Sequence, residues 1–364
     1  MGRPRAREVG IKIGVMKPGR FNAITDVGGV GVGHTTIVRG EGPLRVGEGP
    51  IRVGVTAVVP HPRNLYEEKV TAAVDMFNAF GKATGLPQVI QMGVIETPIL
   101  LTDTLSTWRV ADAVLDYFRE RYGFTPRTLN PVVGETNGSF LNDSFGRHVG
   151  REHVFSAIDK ARSPEGRGPV EEGNVGGGTP MIGYGLKGGI GTSSRVCGPA
   201  TVGALVQLNC GRREDLLIDG VPVGRELKVP KPQLGGVEGS IMIVLATDLA
   251  LNSRQLWKAA KRAMLGVART GSYGGATSGD FTIAFTTGRV SLEEFKESVL
   301  GEAGLFGEEY LNPIYKATVE AVEEAVVNAL FKAETMVGIN GNICYELPIE
   351  EVAEIFEKYG RKLN

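Results

Sequence analysis

The chain has 364 residues, 42% of them hydrophobic and 22% charged, enough for one large core or two smaller ones. Forty basic residues against 41 acidic ones leave a net charge of -1, so there is no electrostatic footprint for nucleic acid or an anionic membrane. Cys197, Cys210 and Cys344 are far apart and form no C-x-x-C, which argues against a disulfide framework or zinc site and reads as buried thiols.

The basic start, Met1 to Arg5, is followed by an apolar stretch, Val9 to Met16, that Gly10, Lys12 and Gly14 interrupt; neither a secretory core nor a membrane span results. A cytoplasmic protein is expected. Asn22 to His34 carries turn chemistry into a glycine-interrupted strand, and Arg52 to Val59, closed by Pro60, is a strong strand. A helix is expected from Val70 to Ala79 and a short strand from Val89 to Gln91. Trp108, Ala111, Leu115 and Phe118 mark a further helix, with Ser106 or Thr107 as N-cap and Gly123 beyond its end.

Pro131 to Val133 reads as a short strand emptying into a polar loop, Gly134 to Ser139. Two glycine-dense segments follow, Gly173 to Thr179 and Gly188 to Ser194, then an apolar strand from Thr201 to Leu208 that ends at Asn209. Lys228 to Leu234 holds two lysines and two prolines and reads as an exposed connector. Gly235 to Ser240 leads directly into Ile241 to Ala246, a continuous apolar run that reads as a strand buried on both faces. A glycine before Ser240 gives that position backbone freedom.

Beyond it, Leu256, Trp257, Ala260, Ala263, Met264 and Val267 repeat with helical spacing, and Gly271 to Asp280 is a loop feeding a strand from Phe281 to Phe285. Ser291 with Glu294 forms a capping box. Asn312-Pro313 starts a longer helix with Val319, Val322, Val326 and Leu330 on one face. A last helix turns Ile349, Val352, Ile355, Phe356 and Tyr359 inward. Strands and helices mix without strict alternation or a fixed-period repeat, so a layered α/β sandwich in a single domain, 1–364, fits better than a barrel.

Several chemistries lack their pattern. His34, His61, His148 and His153 show no ligand spacing. Gly29-x-Gly31-x-Gly33 has its third glycine too early for a dinucleotide loop, and Tyr184 to Gly188 lacks the P-loop frame. With no histidine after residue 153, a serine triad would have to reach back across the fold. A base of another kind becomes available if the chain is cut before Ser240. The α-amine formed there has a pKa of about 7.7 to 8.0, near the value suited to a general base at neutral pH.

The segment Gly239 to Asp248 resembles the self-processing L-aminopeptidase/D-amino-acid esterase-amidase family, with the β-peptidyl aminopeptidases as relatives. Asn22 to Thr36, Pro131 to Asp143, Gly173 to Val196 and Gly271 to Asp280 resemble it in the same order. The resemblance implies an αββα sandwich like that of N-terminal nucleophile hydrolases with different connectivity. It also implies cleavage into associated chains, 1–239 and 240–364, a homo-oligomer, usually a tetramer, and no metal or organic cofactor. By the same resemblance Ser240 is the nucleophile released at Gly239-Ser240, Ser278 and Asp280 are its partners, and Asn209 is an oxyanion-hole amide. Glu135 is the carboxylate for the substrate's ammonium group. Where the family carries a tyrosine this chain has Asn137, and some relatives have glutamate in place of Asp280. The function implied is release of N-terminal residues from peptides, amides or esters. The alternative from another class is a binding or scaffold protein that keeps the Gly239-Ser240 bond.

Overall fold

The computed structural model describes residues 2–123, 125–233, 239–300 and 308–363. In chain order the strands are β1 (Gly31–Arg39), β2 (Ile51–Val59), β3 (Val70–Ala79), β4 (Val94–Ile95), β5 (Ile99–Asp103) and β6 (Val132–Thr136). They continue with β7 (Ile182–Gly183), β8 (Leu186–Lys187), β9 (Gly189–Cys197), β10 (Ala200–Asn209), β11 (Ser240–Leu249) and β12 (Gly279–Val290). The helices are α1 (Leu86–Met92), α2 (Thr107–Arg121), α3 (Arg151–Arg162) and α4 (Val223–Glu226), then α5 (Ser253–Arg269), α6 (Leu292–Leu300), α7 (Asn312–Lys332) and α8 (Ile349–Lys358).

Two sheets form the centre. One has the order β1-β2-β5-β6 and the other β4-β3-β12-β11-β10-β9. Strand alternation assigns each face. In β11, Ile241, Ile243 and Leu245 point toward α5 and α7, whereas Met242, Val244 and Ala246 join Val58, Leu101 and Val132 of the other sheet. In β2, Val53, Val55 and Ala57 lie beneath α2 and α3. The layers are therefore helix, sheet, sheet, helix, the αββα sandwich expected from the sequence, with one apolar core between the sheets and one under each helical layer.

The core strands explain the glycine clusters. The glycine-dense segment at 188–194 forms most of β9, over which α7 runs. A Cβ on Gly191 would lie 2.0 Å from the Ala325 carbonyl oxygen of that helix. Asn22 and Asp26 serve the same corner, since Asn22 Oδ1 accepts from Ser194 N at 3.1 Å and Asp26 Oδ2 from Ser194 Oγ at 2.7 Å. Among the described residues no helix is long and apolar enough to cross a membrane.

Two expected elements are reversed. Val70–Ala79 is a strand, antiparallel to β12, with Val70, Ala72 and Val74 on the inter-sheet side and Ala73 on the other. Its outer end exposes Met76 and Phe77, which blurs the period of two. Val89–Gln91 lies in α1, where Leu86 and Val89, three apart, make the buried contact. The polar loop expected after Val133 begins later, because β6 runs on through Glu135 to Thr136. Helix faces also differ from expectation. Trp108, Leu115, Trp257 and Tyr359 are largely exposed, α2 instead buries Val110, Ala113, Val114, Tyr117 and Phe118, and α7 is buried nearly all round while Val319 is only partly covered. The Ser291 cap forms, with Glu294 N donating to Ser291 Oγ at 3.1 Å. The three thiols are free and buried.

Because the contact at Gly191 is with helix backbone, it has little room to relax. We expect Gly191→Ala to lower the urea unfolding free energy by about 1–3 kcal/mol or more, measured as a shift in denaturation midpoint.

Candidate active site

The chain brings three strand ends to one edge of the larger sheet. Antiparallel pairing of β10 with β11 sets Asn209 opposite Ser240, and parallel pairing of β11 with β12 sets Ile241 opposite Asp280. The last residue of β10, the first of β11 and the start of β12 therefore meet, and the loop before β12 adds Ser278. Residues 234–238, on which most of the glycine-rich approach to Ser240 falls, lie outside the described residues.

Gly239 is required for space. A Cβ there would sit 1.5 Å from the Asn209 carbonyl oxygen, and Gly239 is not in the left-handed region. The conformational freedom expected from the sequence is not what the position uses. Its carbonyl oxygen accepts a hydrogen bond from Ser278 Oγ. Ser278 Oγ also lies 2.6 Å from Asp280 Oδ1, and the Gly279 N–H donates to Ser240 Oγ at 3.0 Å.

A hydroxyl carries one proton, and a carbonyl oxygen can only accept. Ser278 satisfies both neighbours when Asp280 is itself protonated and donates to Ser278 Oγ. The surroundings favour that form: burial pushes the Asp280 carboxyl up to about 6 against the opposing pull of the Ser278 hydroxyl. Among the described residues Asp280 Oδ2 is buried without a hydrogen-bond partner, an arrangement less costly for a neutral acid than for a carboxylate.

Asn209 has its side chain fixed by a backbone group. The Ile182 N–H donates to Asn209 Oδ1 at 2.8 Å, so the amide nitrogen faces the other way and donates to the Asn137 carbonyl at 3.1 Å. Asn137 thus meets Asn209 through its backbone. Its side chain turns back on its own loop, where Oδ1 accepts from Ser139 N at 2.9 Å. That loop is held by buried Asp103, which accepts from Gly138 N at 2.7 Å and Asn142 Nδ2 at 3.0 Å.

Glu135, near the end of β6, belongs to the other sheet but faces the same cleft of about 400 Å³ as Asn209, Gly239 and Ser240. Burial raises its carboxyl pKa, opposed by the Lys82 N–H at 2.8 Å and the Lys82 ammonium at 3.8 Å. Phe80, Phe140 and Ile182 supply apolar wall. Among the described residues no histidine lines the cleft. His34 is buried beside Thr56 and pushed by burial to about 4, and His148 pairs with Asp143 at 2.8 Å. No group of three potential metal ligands gathers among the described residues.

Sequence reasoning missed Lys82, Ile182 and Gly279. Each donates a backbone N–H to a site side chain, a group every non-proline residue possesses, so that contact leaves no signal in residue type, although Lys82 adds its ammonium and Ile182 its apolar side chain.

Peptidase family S58 matches residues 22–344. The beta-peptidyl aminopeptidase BapA of Sphingosinicella xenopeptidilytica is 41% identical over 97% of this chain and 91% of its own length. Among solved structures, a Burkholderia sp. beta-aminopeptidase superposes with a TM-score of 0.87 at 38% identity, covering 99% of this chain and 100% of that one. The L-aminopeptidase D-Ala-esterase/amidase of Ochrobactrum anthropi, described as a prototype of the serine aminopeptidases and a variant of the Ntn hydrolase fold, gives 0.85 at 38% identity over 99% of each chain. On a match that spans most of its length and relatives that align nearly end to end, the chain belongs to peptidase family S58.

Proposed function

We propose that the protein is a self-processing serine aminopeptidase that uses Ser240 twice. The observation that carries this reading is the placement of Ser240 Oγ and the Glu135 carboxylate in one cleft, with Ser278 bonded to the carbonyl just before Ser240. In the precursor, Ser240 Oγ adds to the Gly239 carbonyl, whose oxygen the Ser278 hydroxyl polarises. As the C–N bond breaks, the proton lost by Oγ passes to the departing nitrogen, leaving an ester and a free Ser240 amine, and water opens the ester to give chains 1–239 and 240–364.

In the mature enzyme the Ser240 amine takes the proton from Oγ as Oγ attacks the carbonyl of the substrate's first residue. Asn209 Nδ2 has two protons and, among the described residues, spends one on Asn137, so the second is available to the developing oxyanion. The amine then protonates the departing group, and water releases the acylated residue. Glu135 holds the substrate's ammonium group, which limits the reaction to peptides, amides or esters with a free amino end.

The buried free thiols suit a reducing, cytoplasmic setting. The exposed apolar side chains of Met76, Ile90 and Trp257 lie around one groove between β3, α1 and α5, a surface that a homo-oligomer would bury. We expect sedimentation as a tetramer.

Intact-mass spectrometry of the purified protein should give two chains parted at Gly239-Ser240, and Ser240→Ala should stay whole and inactive; a full-length chain of equal activity refutes the scheme. Glu135→Gln should raise KM for aminoacyl amides about ten- to a hundredfold with a smaller change in kcat, the size of a lost charge-assisted contact. An unchanged KM would remove Glu135 from recognition.

The Asp280 carboxyl also sets a pH dependence. Its folded pKa, about 6, exceeds the ordinary 3.8, so the folded state binds the proton more tightly and stability falls as pH rises from about 4 through 6. In the uncut Ser240→Ala background, adding Asp280→Asn should remove up to about 3 kcal/mol of that decline. Urea titrations at pH 4 and 7 measure it, and parallel curves for the two variants would contradict the assignment.

A further inference from the structure

Lys187, in β8, is fully buried. Its ammonium contacts three backbone carbonyls, those of Met181 at 2.8 Å, Gly188 at 2.8 Å and Gly178 at 3.3 Å, and among the described residues it forms no ion pair. Burial pulls it down to about 7, and the titratable group facing it, Cys344, is a thiol that burial pushes up to about 12. An ammonium with no counter-charge in a dry interior is costly, and a methionine would fill similar volume without that cost. Three acceptors for three protons nevertheless mark the charged form as the one the pocket accommodates.

The Met181 carbonyl that receives Lys187 belongs to the same peptide group as the Ile182 N–H. That N–H donates to Asn209 Oδ1 at 2.8 Å, Asn209 lines the cleft, and its Nδ2 lies on the side away from Oδ1, bonded to the carbonyl of Asn137, another cleft residue. A positive charge on the carbonyl oxygen draws electrons from the peptide and strengthens its N–H as a donor. The Asn209 amide is polarised in turn, so its own N–H bonds become better donors. The Met181 oxygen also accepts from Gly188 N at 2.9 Å, which fixes the orientation of the peptide plane.

We infer that Lys187 is a positioning residue for the oxyanion hole, acting through the Met181–Ile182 peptide to hold and polarise Asn209. This rests on the reading of Asn209 given under the proposed function. In the precursor the donor on the Gly239 carbonyl is Ser278, so Lys187 bears on turnover more than on self-cleavage.

The test is Lys187→Met, assayed with aminoacyl amides after self-cleavage has been followed to completion by intact mass. Expected are a roughly tenfold fall in kcat, smaller than the 10²–10³ typical of losing an oxyanion donor outright, and KM within twofold of wild type. Inhibition by an amino aldehyde, which forms an oxyanion-bearing adduct with the serine, should weaken by the same tenfold, while binding of the free amino acid product stays unchanged. A loss shared equally by KM and product binding, or unchanged aldehyde inhibition, overturns the inference, as does a folded variant that is never cut. If Lys187→Met does not fold, Lys187→Gln, which keeps a neutral donor, is read by the same measurements with a smaller loss expected. Failure of both to fold marks Lys187 as a clamp of the fold and overturns the assignment. Asn209→Ala with wild-type kcat would instead overturn the oxyanion reading itself, and Lys187 with it.

Discussion

The register of β10, β11 and β12 is the constraint on which the site depends. Asn209 opposite Ser240, and Ile241 opposite Asp280, follow from ladders that run the length of β11. Every residue of β11 is buried, with Ile241, Ile243 and Leu245 committed to one core and Met242, Val244 and Ala246 to another. A slip of one residue would exchange the two sets and turn Ser240 away from its partners, so the cores that stabilise the sheet also specify the position of the hydroxyl.

Within that frame, proton count decides what the groups can do. Ser278 stands between an oxygen that only accepts and a carboxyl that burial raises to about 6, so below that pH the Ser278 proton is free for the Gly239 carbonyl. Glu135 is also raised by burial, but it keeps a lysine N–H and an ammonium beside it, conditions that favour its charged form. Burial raises both carboxyl groups, but different neighbours oppose it, Lys82 at Glu135 in the cleft and the Ser278 hydroxyl at Asp280, which is buried at the start of β12.

Much of this was legible in the sequence, for particular physical reasons. The apolar run after Ser240 announces a strand buried on both faces because no polar residue interrupts it, and Ser278 and Asp280, two apart at a strand entrance, do meet. Val70–Ala79 misled because its apolar residues continue past the buried part, with Met76 and Phe77 exposed at the end. The face of α7 was unreadable since nearly all of the helix is covered, including Glu320, Glu323 and Glu324; Glu320 and Glu324 are reached by Arg195. Asn137 illustrates another limit: it stands where the family carries a tyrosine, yet it meets Asn209 through its backbone carbonyl, which residue type does not report.

A cut at Gly239-Ser240, as proposed, would leave the architecture standing. Gly239 precedes β11, so breaking the bond removes none of the pairing between Val202–Asn209 and Ser240–Thr247. The segment 240–364 also contributes α7, which closes the core over β9 and β10, α5, which lies over β3 and β12, and β12 itself, which pairs with β3. The two pieces would be joined through the interior of the protein, with Asn209 and Glu135 contributed by one and Ser240, Ser278 and Asp280 by the other. Separating them would expose the core on both sides of the larger sheet, so the free energy that folds the intact chain is the same free energy that would hold a cut site together.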